Sequence, residues 1–438
     1  MYGTASKISQ YLVPFLLGDG NEALVSLISY GNNKNVVLVI EPSDFFEKGI
    51  YLTDKSLPML PLCEIEGIPI LFGNTNIWEE DGQIHLGADL IASAFFLLSR
   101  YEECVRRDVR DQHGRFPGRE SLSYRAGFLE RPIVEEYGAL LRRLLRRAGV
   151  DVKEPQVGLR HIWLTHDVDQ IWTWDNYYRA LRTTLKNFIT GQPDKLRPLR
   201  AYHDYQNYDP VYTFPWLIEQ DNSVRNCCGT ERCTPVYFLM GCVKKQNNDN
   251  GYLSNKERTK QLIKYLQAEN CELGYHVSYT ASMNLGQIKS EILRIQELSD
   301  TFILWSRNHY LASREPEDFR SLINNGITDD FTMGYADEAG FRLGTCRPVK
   351  WIDPIKLEVT ELTLHPMTIM ECTLDGRSYM NIQQEEEAFA VVEKLIEEIA
   401  SYAGEVVLLW HSPSVFPKQG SYQRNLYEKV LKLLIDLS

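Results

Sequence analysis

The sequence predicts an α/β protein in two parts: a smaller α/β domain over residues 1–150 and a parallel-sheet α/β domain over residues 156–438. Three observations carry this expectation. The chain has 438 residues, and single hydrophobic cores stop growing at roughly 250–300 residues. Its composition, 44% hydrophobic and 24% charged, provides enough apolar material to bury a large core. Beyond residue 156, short apolar runs alternate with segments of helical periodicity, as in a parallel sheet with helical crossovers.

In chain order, residues 36–40 and 68–72 read as strands, and 89–101 and 133–148 as helices. Asp89 is placed to cap the first helix, whose later part, 97–103, has one apolar and one charged face. The polar stretch 111–117 reads as a loop, and 151–155, ending in Pro155, as the boundary. The first domain shows no catalytic constellation and is expected to pack on the second and shape its entrance. In the second domain, strands are expected at 161–164, 235–240, 271–275, 302–305 and 406–410, and helices at 255–269, 285–298 and 385–400. Residues 183–233 show no strand pattern and read as a polar, aromatic-studded insertion, a lid or packing arm. There is no internal repeat and no low-complexity tract.

A formal net charge of -12 argues against nucleic acid as a partner. The densest basic group, Arg142, Arg143, Arg146 and Arg147, falls at helical spacings and reads as a solvated helix face. Nine scattered cysteines, an odd number, suggest a reducing compartment. Cys227, Cys228, Cys233 and Cys242 lack the spacing of paired zinc knuckles and read as free thiols. Residues 11–17 are too short, and too interrupted by Pro14, for a signal peptide. No segment approaches the roughly 20 apolar residues of a membrane span. A soluble, cytoplasmic protein without a membrane partner is therefore expected, and the sequence carries no signal for oligomeric state.

Reactive side chains gather just past the expected strands. His166, Asp167 and Asp169 follow the first, His276 and Tyr279 another, Arg307 and His309 a third, and His411 the last, after Leu409. Each alone has an ordinary explanation: an aspartate capping the next helix, a hydrogen-bonded structural histidine, an arginine in an ion pair. Four such clusters at equivalent positions point to a site, because the carboxyl ends of parallel strands converge on one face.

These residues also carry a resemblance. Asp167-Val168-Asp169, Glu272-Leu273-Gly274-Tyr275-His276, Arg307-Asn308-His309-Tyr310 and Leu409-Trp410-His411 resemble the first, second, third and final motifs of the NodB-homology polysaccharide deacetylases, the family-four carbohydrate esterases. The likeness spans most of 156–438, and residues 330–345 resemble a subgroup from bacterial surface-polysaccharide gene clusters that carries an N-terminal accessory domain. The resemblance implies a distorted (β/α) barrel of about seven strands. It implies a hydrolase that removes an N-acyl group, first of all N-acetyl, from a sugar or polysaccharide by metal-activated water. Asp169 and His276 would hold a divalent metal, zinc being the first expectation. Asp167 would be the general base, Arg307 its partner, and His411 the general acid. Leu409 would line the pocket for the acyl methyl, while Tyr279 and His166 would contact substrate. Trp172, Trp174 and Tyr279 suit sugar stacking and packing equally.

One position departs from the family pattern. Thr280 stands four residues after His276, where the family has a second histidine. A catalytic zinc usually has three protein ligands, so either His309 or His166 supplies the third, or the metal is held loosely by two, or metal chemistry is lost. In the last case the chain is a carbohydrate-binding or scaffold protein that keeps the cleft without turnover. A metal-independent amidohydrolase of a small non-sugar amide is a further possibility.

Overall fold

The computed structural model describes residues 2–417 and 420–438. Within the first 150 residues, β1 (Ile28–Tyr30), β2 (Leu38–Ile40), β3 (Cys63–Ile65), β4 (Ile68–Ile70), β5 (Gly73–Glu80) and β6 (Gln83–Ala88) form two small sheets. One is four-stranded in the order β1-β2-β6-β5, and the other is the β3-β4 pair. The β5–β6 hairpin turns at Asp81-Gly82, both at positive φ (51° and 81°), the geometry that makes Asp-Gly a strong hairpin signal. The helix Leu90–Leu98 is buried along its whole length and capped by Asp89, whose Oδ1 accepts from Ala92 N at 2.8 Å. The helix expected over 89–101 is interrupted at Arg100, which adopts a left-handed φ of 59°, and a second short helix, Tyr101–Val105, follows.

The rest of the chain builds a nine-stranded sheet from β7 (His161–Val168), β8 (Cys233–Met240), β9 (Glu272–Val277), β10 (Trp305–Asn308), β11 (Asp329–Asp330), β12 (Val349–Asp353), β13 (Glu358–Leu364), β14 (Ile369–Met370) and β15 (Glu405–Leu409). Their order is β12-β13-β11-β10-β9-β8-β7-β15-β14, parallel throughout except for the β12–β13 pair. The count exceeds the expected seven, and among the described residues no ladder joins the edge strands β12 and β14. The sheet nonetheless curls. Three strand spacings of roughly 4.8 Å would separate β7 from β10 in a flat sheet. Yet the Trp163 and Trp305 rings lie 5.5 Å apart, and Asp167 reaches Arg307 at 3.2 Å. The concave interior is filled by Val236, Phe238, Leu311, Phe331, Met367, Val407 and Leu409.

Residues 183–233 are largely helical (Arg197–His203, Tyr205–Tyr208 and Phe214–Cys228, after Tyr177–Ile189). Trp172 and Trp174 are buried within clusters of neighbouring side chains, so their role is packing. The strand expected at 302–305 begins only at Trp305. One hydrophobic cluster runs from Leu12, Phe95 and Leu141 to Tyr275, Trp351 and Leu364, so the core of the first 150 residues continues into the sheet domain. Among the described residues no helix is long and apolar enough to cross a membrane.

Candidate metal and acid–base site

Alternation along the strands decides which side chains reach the concave face. On β7, Trp163, Thr165 and Asp167 point inward, and Asp169 follows at the strand end. His166 points the other way. It is buried, its Nδ1 lies 2.7 Å from Trp410 O, and its Nε2 lies 2.9 Å from Asp221 Oδ2 on the helix Phe214–Cys228. The expected contact of His166 with substrate, and its candidacy as a metal ligand, therefore fall away: one residue along a strand is the opposite face.

On β9, His276 points inward beside Asp169 and Asp167, with Nε2 at 3.2 Å from Asp169 Oδ1 and 3.7 Å from Asp167 Oδ2. Gly274, two residues earlier, faces the same interior, where a Cβ would lie 2.4 Å from the Phe238 ring. That ring lies under the Arg307 guanidinium, 4.6 Å from its centroid. The glycine thus makes room for the platform under the arginine. Arg307, fully buried on β10, donates to Thr165 Oγ1 at 2.7 Å, Phe331 O at 3.0 Å and Asp167 Oδ1 at 3.2 Å.

His309 follows β10, and its Nε2 lies 3.3 Å from Asp169 Oδ1. Asp169, His276 and His309 each offer a ligand atom, and the three atoms lie within 4.8 Å of one another. The tautomers follow from the partners on the far sides of the rings. His276 Nδ1 faces Arg307 O at 3.0 Å, and a carbonyl only accepts, so this nitrogen carries the hydrogen. His309 Nδ1 faces the Asp249 carboxylate at 3.0 Å and donates for the same reason. In the neutral rings both Nε2 lone pairs then converge on a carboxylate oxygen. Three acceptors at this spacing repel unless a cation or a proton lies among them, and outward Nδ1–H bonds to a carbonyl and a carboxylate are the usual support of metal-binding histidines. The donor set of two imidazoles and one carboxylate fits a divalent transition metal.

Asp249, on the loop after β8, has no counterpart in the sequence-level reading. Its carboxylate accepts from Tyr279 N at 2.7 Å, Thr280 N at 3.0 Å and Thr280 Oγ1 at 2.8 Å. Thr280, which looked like a missing ligand, is thus an anchor for the group that orients His309. Burial pushes the Asp249 carboxyl up, but His309 and Thr280 hold it below the ordinary carboxylate value. Burial likewise opposes ionisation of Asp169, yet His309, His276 and His411 keep its carboxyl far below that value. For His276 burial works against the charge, but Asp167 and Asp169 prevail and raise its pKa. The field that favours a proton there also favours a metal cation.

His411 follows β15, with Nε2 at 3.9 Å from Asp167 Oδ2 and 3.8 Å from Asp169 Oδ2. Its other nitrogen meets Glu371 Oε1 at 2.8 Å. Glu371, buried just past β14, also accepts from Ser414 Oγ at 2.7 Å and His411 N at 3.0 Å. Burial would lower the His411 pKa, but the Glu371 carboxylate raises it well above 6.5. Glu371 too was missed, although a glutamate directly after an apolar run is the same signal that singled out the other residues. Cys372 lies 3.8 Å from His411 Nδ1, and burial pushes its thiol up to about 11.

Leu409 is fully buried in the interior cluster below His411. Tyr279 lies at the rim, its ring 5.6 Å from Tyr310, with the Arg314 guanidinium 5.0 Å over it. His113, from the 111–117 loop, completes the rim, 4.8 Å from the Tyr310 ring, and its Nδ1 lies 3.3 Å from Tyr279 OH. A cavity of about 560 Å³ lies between this loop and residues 376–379, lined by Gln112, Arg115, Asp337, Arg377 and Tyr379 among others.

Comparison with known proteins adds little to this picture. No curated protein matches the chain significantly. Among solved structures, the crystal structure of a "putative polysaccharide deacetylase from Mycobacterium smegmatis" is similar, with a TM-score of 0.39 and 14% identity. That match covers 64% of this chain and 86% of the other, and a score so low carries no functional inference. Residues 13–149, less than half of the chain, match the model of a family of unknown function (DUF7033).

Proposed function

We propose that this chain hydrolyses an N-acyl group, first of all N-acetyl, from a sugar or polysaccharide, using a divalent metal held by Asp169, His276 and His309. The observation that carries the reading is the convergence of the two Nε2 atoms on Asp169 Oδ1 at 3.2 and 3.3 Å, each ring fixed from behind. A metal bound there supplies positive charge that lowers the pKa of water and stabilises the developing oxyanion. Zinc is the first expectation, because two nitrogens and one oxygen with room for water is a common catalytic zinc set.

The remaining roles belong to the chain. Asp167 receives the proton of the attacking water, and Arg307, 3.2 Å away, aims its carboxylate. His411, kept protonated by Glu371, stands on the other side of the aspartates and delivers a proton to the departing nitrogen. Leu409 and its apolar neighbours form a wall suited to an acyl methyl. The sequence motifs and this geometry support the reading together. Its test is metal analysis of the protein as purified, alongside acetate release from N-acetylated amino-sugar oligomers. About one equivalent of metal, lost in His276→Ala and His309→Ala, together with acetate release, is expected. A protein that takes up neither zinc nor cobalt overturns the reading and returns the chain to the carbohydrate-binding alternative.

A further inference from the structure

The turn that carries His309 has an unusual backbone. Tyr310 and Leu311, neither of them glycine, both adopt left-handed φ angles of 61° and 52°. Such a pair persists only where the surroundings over-determine it. Leu311 is sunk in the barrel interior, but the rest of the turn is gripped from the first 150 residues. Arg115 donates through Nη1 to Tyr310 O at 2.8 Å, and its Nε donates to Asp111 Oδ2 at 2.8 Å. Asp111 in turn accepts from the backbone nitrogens of His113 at 2.8 Å and Arg115 at 2.9 Å, which makes the loop a rigid hook. The His113 ring lies against Tyr310. At the other end, Arg100 donates to Ser313 Oγ at 2.8 Å and Ser313 O at 2.9 Å. Both arginines are buried.

We propose that the segment similar to the family of unknown function completes the metal site: Arg115 and Arg100 clamp the 310–313 turn and thereby aim His309 at Asp169. The proposal rests on the metal reading above. It gives a task to two stretches, 97–103 and 111–117, that carry no catalytic group of their own. Arg115 and Arg100 touch no reacting atom; they are positioning residues that act through the backbone of the turn. The tie is directional. A lysine at 115 has one donor group and cannot hold Asp111 and Tyr310 O together as the planar guanidinium does.

The test is made on the full chain by cobalt(II) titration, read in the visible d–d spectrum, and by competition of zinc against a chromophoric chelator. Groups that orient metal ligands typically change affinity 10–100-fold. We expect Arg115→Ala to weaken zinc binding at least 10-fold and to alter the cobalt band, with Arg115→Lys intermediate. Asp111→Asn, which loosens the hook from a partly exposed position, should move both readouts in the same direction and serves if Arg115→Ala does not fold. Folded Arg115→Ala or Asp111→Asn proteins with wild-type affinity and spectrum overturn the clamp while leaving the metal site standing. A wild-type protein that binds no metal overturns the metal reading itself, and the clamp with it.

Discussion

At the scale of single residues, two aspartates two positions apart have different surroundings. Asp169 lies 3.2 and 3.3 Å from His276 and His309, whereas Asp167 is held by Arg307 at 3.2 Å and has imidazole nitrogens only at 3.7 Å and beyond. Asp167→Asn should therefore lower kcat by about 10³-fold or more while zinc affinity stays within a few-fold; Asp169→Ala should lose both. Acetate release and chelator competition on the two variants check this, and full activity in Asp167→Asn would show that another group is the base. Glu371 offers a second prediction. Because it raises the His411 pKa, the acid form persists above pH 6.5, and activity should fall only as the pH rises through that higher value. Removing the carboxylate in Glu371→Gln should shift the alkaline limb of the pH–rate profile to lower pH, and an unmoved limb would mean that His411 is not the acid. Asp167, Asp169, His276, Arg307 and His411 were readable in the sequence because each sits at a strand end. Asp249 was not, because it lies in a polar loop whose path depends on tertiary packing.

At the scale of elements, the strand period sorts the site. It brings Asp167 of β7 and Arg307 of β10 together across the two intervening strands and turns His166 toward Asp221. The runs in β7, β8, β9 and β15 were recognisable because they are long and apolar, whereas β11 and β14, of two residues each, are too short to leave a periodic trace. The Asp81-Gly82 hairpin was readable in principle from its turn residues. His365, after β13, lies between Asp329 of β11 (Nε2, 3.1 Å) and Glu405 of β15 (Nδ1, 3.0 Å), stacked on Phe331 at 4.4 Å. Burial disfavours its charge, but the two carboxylates outweigh this and raise its pKa above 6.5. A raised histidine stabilises the fold fully below its unfolded pKa and loses that contribution as pH rises through the folded value. Urea titrations across pH 6–9 should show wild-type stability falling more steeply than that of His365→Gln, and parallel curves would remove the imidazolium from the account.

At the scale of the whole molecule, the expected boundary at 151–155 does not separate two independent cores. The main hydrophobic cluster crosses it, and so does a buried ionic network. Glu103 accepts from Arg100 Nη2 at 2.5 Å and from Arg342 Nη2 at 2.9 Å, and all three side chains are almost completely buried. Burial pushes the Glu103 carboxyl up, but Arg100 and Arg342 hold it below its ordinary value, so its contribution is present at neutral pH and lost on acidification. Composition cannot reveal this tie, since Glu103 and Arg342 are 239 residues apart. Removing one member of a buried network leaves the others charged and unpaired, which typically costs about 3–5 kcal/mol. Glu103→Ala should therefore lower the unfolding free energy by about that amount. Because the core is continuous, its denaturation should be followed as one transition by both tryptophan fluorescence and far-ultraviolet circular dichroism. Two separate transitions in the wild type, with only the earlier one shifted by Glu103→Ala, would show that the first 150 residues unfold on their own. The shared core and the network would then be a docking contact between two separately stable parts.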